Sequence, residues 1–332
     1  MTMVSFKPHN PYCITLITTY RCNAACVDCC YGCRPDRGRT MTLEEMKHYV
    51  DVCIDAYPQS IIRLALTGGE CFLLGDDLDE IVRYGTGKGL KVDFMSNGFW
   101  GKTYRMAEER IYKLWRAGLK EVGFTMGEDH DHIINFRNCR NAVVASARLG
   151  YKVELRIERK PFGDNTVFEK LKADRPFMKL VDSGKIQMKF WEWRVYNNET
   201  IHKRRYAFHY RPYAKSKPCE LLFREIVITP YGDVLACCGI GNSRNPHMRL
   251  GNIWKEPVKT IYERSFADLL KIWIQSKGAQ EVLQYVYDNS DIKFHQWGNG
   301  CEACIEIFEN PRILLFLREH YDDWCNKFYY TL

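Results

Sequence analysis

The sequence predicts an α/β protein: a curved, partly open barrel of parallel strands, followed by a smaller C-terminal α+β extension. Three observations carry that expectation. From about residue 13 to 193, β-branched apolar runs alternate with segments of helical apolar spacing, the pattern of parallel β–α units. The connections are short and the strands number six, which suits an open barrel better than a closed eightfold one. Beyond a basic stretch at 201–218 the rhythm changes to a hairpin and then helices, marking a second domain.

Taken in order, residues 13–18 form the first strand. Thr42, with Glu45 three residues on, reads as a capping box that opens a helix. Residues 61–66 make a second strand that ends in the turn Thr67-Gly68-Gly69-Glu70. A helix over 79–84 and a third strand over 91–95 follow. The next helix, 104–117, stops at Gly118, and the fourth strand covers 121–125. A helix over 138–149 closes at Gly150, 152–157 is the fifth strand, 166–172 a weaker helix and 186–191 the sixth strand. In such sheets the chemistry gathers at the carboxyl ends of the strands.

Residues 201–218 contain six Lys or Arg, no acids, and Tyr206, Phe208, Tyr210 and Tyr213. Cations and rings suit an acidic peptide or RNA, but a solvated connector explains the stretch more simply. Strands over 225–229 and 233–236 then flank the turn Pro230-Tyr231-Gly232. Helical spacing returns over 258–287, a CxxC stands at 301–304, and a last helix starts near 311. The expected division is a barrel over 1–195, a connector over 196–218 and an extension over 219–332.

Composition narrows the classes. With 46% hydrophobic residues the chain can bury a sizeable core. No apolar run approaches the roughly 20 residues needed to span a bilayer, so no membrane partner is expected. The opening MTMVSFKPHN has no apolar signal segment, and a cytoplasmic location is expected. A net charge of +7 permits an acidic partner without demanding one.

The cysteines are the outlier. Fifteen of them, an odd number, in a chain expected in the reducing cytosol argue against disulfides. Cys22, Cys26, Cys29, Cys30 and Cys33 fall together, Cys237 and Cys238 are adjacent, and Cys301 and Cys304 form the CxxC. Clustered thiols in a reducing compartment bind metal. Cys13, Cys53, Cys71 and Cys139 stand singly in apolar or helical stretches and are expected in the core.

Cys22, Cys26 and Cys29 are spaced CxxxCxxC directly after the first strand. Three thiolates on a short loop can hold three irons of a 4Fe–4S cube and leave the fourth without a protein ligand. An open position is what separates a catalytic metal site from a structural one. A zinc knot completed by Cys30 or Cys33 is the competing reading, since thiolates suit both metals.

With Gly68-Gly69-Glu70 at the end of the second strand, this arrangement resembles the radical S-adenosylmethionine (SAM) superfamily. The resemblance implies a partial (β/α)6 barrel in which the open iron chelates SAM. One-electron reduction then cleaves SAM to a 5′-deoxyadenosyl radical that takes a hydrogen atom from substrate. Two glycines would let the backbone approach the SAM amino group, and the Glu70 carboxylate suits an ammonium. Ser96 and Asn97 match positions that contact the SAM ribose, and Thr125 one that binds its carboxylate. Arg156 could pair with that carboxylate bidentately. The plain alternatives are turn residues for Ser96 and Asn97, and a surface charge for Arg156. Two positions depart from the family: Asp28, often aromatic, and Cys71, often proline. Cys30 and Cys33 have no role in the family pattern.

The extension is similar to the auxiliary-cluster domains called SPASM and twitch, through PYGDVLACC and the later LGNI. Cys219, Cys237, Cys301 and Cys304 are the best four ligands for a second 4Fe–4S cluster, with Cys238 competing for the place of Cys237. Only Cys325 follows Cys304, so the shorter, one-cluster twitch form is expected. A structural zinc ribbon is the alternative.

The resemblance leaves the substrate open. The expected activity is oxidation or crosslinking of a peptide substrate, with the auxiliary cluster taking the electron or positioning substrate. Asp129, in the run Glu128-Asp129-His130-Asp131 after the fourth strand, is the candidate base; an ordinary polar turn accounts for the run equally well. A dehydrogenase of a small molecule such as an aminocyclitol or sugar comes second, RNA modification third, and a non-catalytic metal scaffold last. The first strand starts near residue 13, which leaves no room for an N-terminal peptide-recognition domain and weakens the peptide reading. A flavodoxin or ferredoxin-type reductant is implied as partner; nucleic acid is not expected.

Overall fold

Strand β1 (Cys13–Thr19) is buried along its whole length, as a central strand covered on both faces must be. The computed structural model describes residues 10–26, 29–159, 165–192, 216–239, 245–293 and 300–331. These divide into two compact units: 12–192 with 228–232, and 10–11 with 216–227 and 233–331. Asp28 and most of the basic stretch 201–218 lie outside the described residues.

In the first unit β1 is joined by β2 (Arg63–Gly68), β3 (Lys91–Ser96), β4 (Glu121–Gly127), β5 (Lys152–Arg159) and β6 (Ile186–Glu192). They lie in sequence order and every neighbouring pair is parallel. Between them run α1 (Leu43–Ala56), α2 (Asp76–Gly87), α3 (Tyr104–Arg116), the single turn α4 (Glu128–Asp131), α5 (Phe136–Leu149), α6 (Thr166–Ala173) and α7 (Arg175–Asp182). The expected α/β class and parallel six-strand series are thus present. The expected core cysteines Cys13, Cys53, Cys71 and Cys139 are all buried.

Local chemistry accounts for the helix ends. The Thr42 hydroxyl accepts from Glu45 N at 3.2 Å, and the Glu45 carboxylate accepts from Thr42 N at 2.9 Å, closing the capping box. Gly150 ends α5 with φ +99°, a left-handed cap that glycine adopts without strain.

Several boundaries moved. Strand β2 begins and ends two residues later than its apolar run, opening at Arg63. Its guanidinium pairs with Asp93 of β3 at 2.7 Å and Glu121 of β4 at 2.9 Å, bracing the amino ends of three strands. Strand β4 continues past Thr125 to Gly127, and β5 past Ile157 to Arg159. Helix α7 was not expected, although Asp174 caps it and Pro176 stands in its first turn.

The second unit contains β7 (Glu225–Ile228), β8 (Asp233–Leu235) and β9 (Arg249–Asn252), ordered 7-8-9 with β8 and β9 antiparallel. The expected LGNI turn is therefore partly a third strand. Six helices follow: α8 (Val258–Arg264), α9 (Leu269–Lys277), α10 (Ala279–Asp288), α11 (Gly300–Glu309), α12 (Pro311–Glu319) and α13 (Tyr321–Thr331). The CxxC opens helix α11. Among the described residues no helix is long and apolar enough to cross a membrane.

Thr42→Ala removes the side-chain half of the capping box and is expected to lower stability by about 1 kcal/mol. Thr42→Ser retains the acceptor and should stay close to wild type. Denaturant midpoints of the two variants compare them directly.

Candidate functional site

The cysteine loop and the GGE turn are laced together by backbone. Gly69 N donates to Thr19 O at 2.7 Å and Glu70 N to Arg21 O at 3.1 Å, while Cys22 N donates to Arg34 O at 3.2 Å. The approach is so close that a Cβ on Gly69 would stand 2.0 Å from Arg21 O, and one on Gly68 2.5 Å from Thr19 O. Gly68 also has φ +126°, a conformation that disfavours side chains. The two glycines are thus required by the protein's own cysteine loop, a reason the residue pattern did not disclose.

Glu70 is fully buried. Its carboxylate accepts from Phe72 N at 3.1 Å, Ser96 Oγ at 2.9 Å and Asn97 N at 2.8 Å, tying the end of β2 to the end of β3. Burial raises its pKa to about 7 against the pull of these donors. Ser96 Oγ in turn accepts from Gly98 N and Trp100 Nε1. Asn97 Nδ2 donates to Asn23 Oδ1 at 3.0 Å, beside Cys22. Ser96, Asn97 and Glu70 therefore form one network next to the first cysteine of the loop.

Around that network Cys22, Ala24, Cys33 and Ile134 form a small buried cluster, with Cys26 and Cys29 packed against it. Burial drives the Cys22 thiol up to about 12, and Glu70, Cys29 and Cys26 add to the effect by like charge. Cys29 moves the other way, to about 6, because the Cys33 thiol and backbone N–H donate to it; the N–H stands 3.3 Å from Cys29 Sγ. The three thiols of the motif therefore sit within electrostatic reach of one another in an apolar surround. That donor set fits a cluster with three protein ligands. No three His, Cys, Asp or Glu among the described residues are placed to hold a single metal ion.

The remaining predicted residues are less uniform. Thr125 lines a cavity with Asn97, Met126, His130 and Cys139 at the carboxyl ends of β3 and β4. Arg156 pairs with Thr125 in the β4–β5 register, yet its guanidinium is engaged by Glu154 at 2.6 Å. The structure thus does not gather Arg156 into the Glu70 network. The Asp129 side chain lies outside the described residues, although its backbone belongs to the turn α4. Glu128 in that turn accepts from Val167 N at 2.9 Å.

Among the described side chains of this run, His130 lines the cavity. Its Nδ1 lies 2.9 Å from Glu158 Oε2. Burial opposes its charge but is outweighed by Glu158 and by a hydrogen bond with Cys26, so its pKa is raised well above the ordinary value. The sequence named His130 only as one of four polar neighbours. Its partner Glu158 is one strand away and carried no local signal.

In the second unit four thiols converge from separate elements. Cys219 N donates to Ile274 O and Gln275 O at the end of α9, and Cys237 follows β8. Cys301 and Cys304 stand one turn apart on α11. Between the two elements that supply Cys219 and Cys237, Phe223 takes φ 60°, a rare backbone state for a bulky residue, held by complete burial. Burial first, then Cys219, Cys304 and Cys301, push the Cys237 thiol well up. Cys304 is likewise raised by burial, Cys219 and Cys301, with Lys271 acting against them. Four crowded thiols at one place fit a fully ligated cluster. Cys237 is within electrostatic reach of the other three.

Two outcomes test this geometry. Gly69→Ala should lose iron from the reconstituted protein, whereas Gly87→Ala, where a Cβ meets nothing within 4 Å, should not; iron assays on both decide it. For Glu70, the folded pKa of about 7 exceeds the reference value of 4.5, so the folded state binds the proton more tightly. Stability of the metal-free chain should therefore fall as pH rises from about 4.5 to about 7. Glu70→Gln should remove that slope in denaturation profiles across this range.

A family model described as the radical SAM superfamily matches residues 16–148, and one described as an iron-sulfur cluster-binding domain, SPASM, matches residues 219–305. The putative peptide biosynthesis protein YydG of Bacillus subtilis (strain 168) is 20% identical over 316 residues, covering 92% of this chain and 95% of its own. Among solved structures, BtrN in complex with AdoMet and 2-DOIA overlaps 89% of this chain and 98% of its own, at 13% identity and TM-score 0.44. Methylornithine synthase (PylB) overlaps 84% and 87%, at 16% identity and TM-score 0.43. The CxxxCxxC loop and the GGE turn fall inside the first matched segment and the four converging thiols inside the second. The chain is a radical SAM enzyme with a C-terminal iron–sulfur cluster-binding SPASM domain.

Proposed function

We propose that this radical SAM enzyme removes a hydrogen atom from a peptide substrate and so oxidises or crosslinks it. The observation that carries the peptide reading is the similarity to a putative peptide biosynthesis protein across nearly the whole of both chains. In this reading Cys22, Cys26 and Cys29 hold a 4Fe–4S cluster, and Cys219, Cys237, Cys301 and Cys304 hold a second that accepts the substrate electron or helps position the substrate. SAM, when bound at the first cluster, supplies a 5′-deoxyadenosyl radical on one-electron reduction by a flavodoxin or ferredoxin-type partner.

The chain's own residues have separable tasks. The Gly69 and Glu70 amides fix the cysteine loop against the end of β2. Glu70, Ser96 and Asn97 hold the ends of β2 and β3 rigid beside Cys22, which preorganises the floor on which SAM binds. Asn97 and Thr125 line the adjoining cavity and offer polar groups to SAM. His130, paired with Glu158 in the same cavity, is a second candidate beside Asp129 for the acid–base role.

Iron per chain after anaerobic reconstitution tests the ligand sets. About eight irons should fall to about four in Cys22→Ala/Cys26→Ala/Cys29→Ala, and release of 5′-deoxyadenosine should cease. Zinc in place of iron would overturn the reading. Substrate class is decided by adding peptides or aminocyclitols and sugars to the reconstituted enzyme with SAM and reductant. A peptide that gains speed in 5′-deoxyadenosine release and changes mass supports the proposal. The same response to an aminocyclitol or sugar, with none to peptides, sinks it.

A further inference from the structure

We propose that Lys271 sets the reduction potential of the C-terminal cluster by holding a buried positive charge beside it, an inference that rests on reading Cys219, Cys237, Cys301 and Cys304 as the ligands of that cluster. Lys271 stands in the first turn of α9, between the apolar pairs Leu269-Leu270 and Ile272-Trp273. Its side chain is only 7% exposed. An ammonium is costly to bury unless other groups compensate.

The compensation visible in the protein is lopsided. Asp268 pairs with Nζ, but the Asp268 side chain is 36% exposed, so its charge is screened by solvent while the ammonium is not. On its other side Nζ stands 5.4 Å from the Phe308 ring, a weak cation–π contact.

Two structural ties bring this charge to the thiols. Phe308 lies on α11 one turn beyond Cys304. The carbonyls of Ile274 and Gln275, one turn beyond Lys271 on α9, accept the backbone N–H of Cys219. Lys271 thus touches, through one ring and one helix turn, the elements that carry two of the four thiols.

The consequence concerns one electron. Four thiolates make the cluster anionic, and reduction adds one more negative charge without changing the ligands. A fixed cation nearby favours the reduced form, and local charge is among the levers that set cluster potentials. Lys271 is in this sense a tuning residue with no contact to substrate.

The test uses the full-length chain carrying Cys22→Ala/Cys26→Ala/Cys29→Ala, so that only the C-terminal cluster is read. Dithionite titration with redox mediators, followed by electron paramagnetic resonance, gives its midpoint potential. Lys271→Met should disfavour reduction at least tenfold, about 59 mV lower for a one-electron couple. Lys271→Arg should shift it far less. Asp268→Asn, which keeps the helix cap but removes the counter-charge, should move the potential upward. Opposite signs at the two positions are something a packing role would not produce.

If Lys271→Met binds about four irons and its potential is unchanged, the proposal fails. Should that variant not hold iron, Asp268→Asn decides: an upward shift sustains the proposal and no shift overturns it. A parent chain without any C-terminal iron would instead defeat the ligand assignment, which separates the two failures.

Discussion

The contact on which the rest of the first unit depends is the backbone approach between the GGE turn and the segment that enters the cysteine loop. Gly69 N to Thr19 O and Glu70 N to Arg21 O are ordinary hydrogen bonds in length. What is unusual is the absence of room for any Cβ at Gly69. That closeness places Cys22 directly against the end of β2. It leaves Glu70 with no route to solvent, so the carboxylate must be satisfied inside. Ser96 Oγ and Asn97 N at the end of β3 meet that demand. One steric constraint therefore couples the first cysteine, the second strand and the third strand.

Charge shapes both thiol groups by the same physics with different compensations. Burial and mutual repulsion oppose ionisation of Cys22, Cys237 and Cys304, so the positive charge of bound iron is what such sites call for. At the N-terminal group the compensation is mostly hydrogen bonding: Ala24 N lies 3.4 Å from Cys22 Sγ, and Cys33 N 3.3 Å from Cys29 Sγ. Cys33, which had no role in the family pattern, is thereby a neighbour of the third cysteine in its own right. His130, held by Glu158, adds a partner for Cys26. In the C-terminal group the neighbouring charge is a whole lysine.

Legibility in the sequence followed the range of the interactions. Capping of α1 by Thr42 and Glu45, the left-handed stop at Gly150, and the alternation of strands and helices are decided within a few residues, and all were readable. Strand ends were less readable than strand existence, and the ion pairs that brace them were not readable at all: the partners of Arg63, Asp93 and Glu121, lie 30 and 58 positions away. The sequence assigns no element to 301–304, which opens helix α11, because a CxxC pattern points to a metal ligand pair and to a helix turn alike.

The sequence by itself determined the chemistry of the candidate site. Thiol spacing is a local property, and CxxxCxxC after a strand, GGE after the next, and a distant CxxC carry the family and its cofactors in residue types alone. Only the tertiary structure decided which neighbours tune those thiols. It brought Cys237 within electrostatic reach of Cys219, Cys301 and Cys304, placed His130 against Glu158, and turned Arg156 toward Glu154. It also put Lys271 beside the ring of Phe308, one helix turn from Cys304. The physical reason is that Coulomb and hydrogen-bond terms depend on distance in space, and residues many positions apart acquire that distance only when the chain has folded.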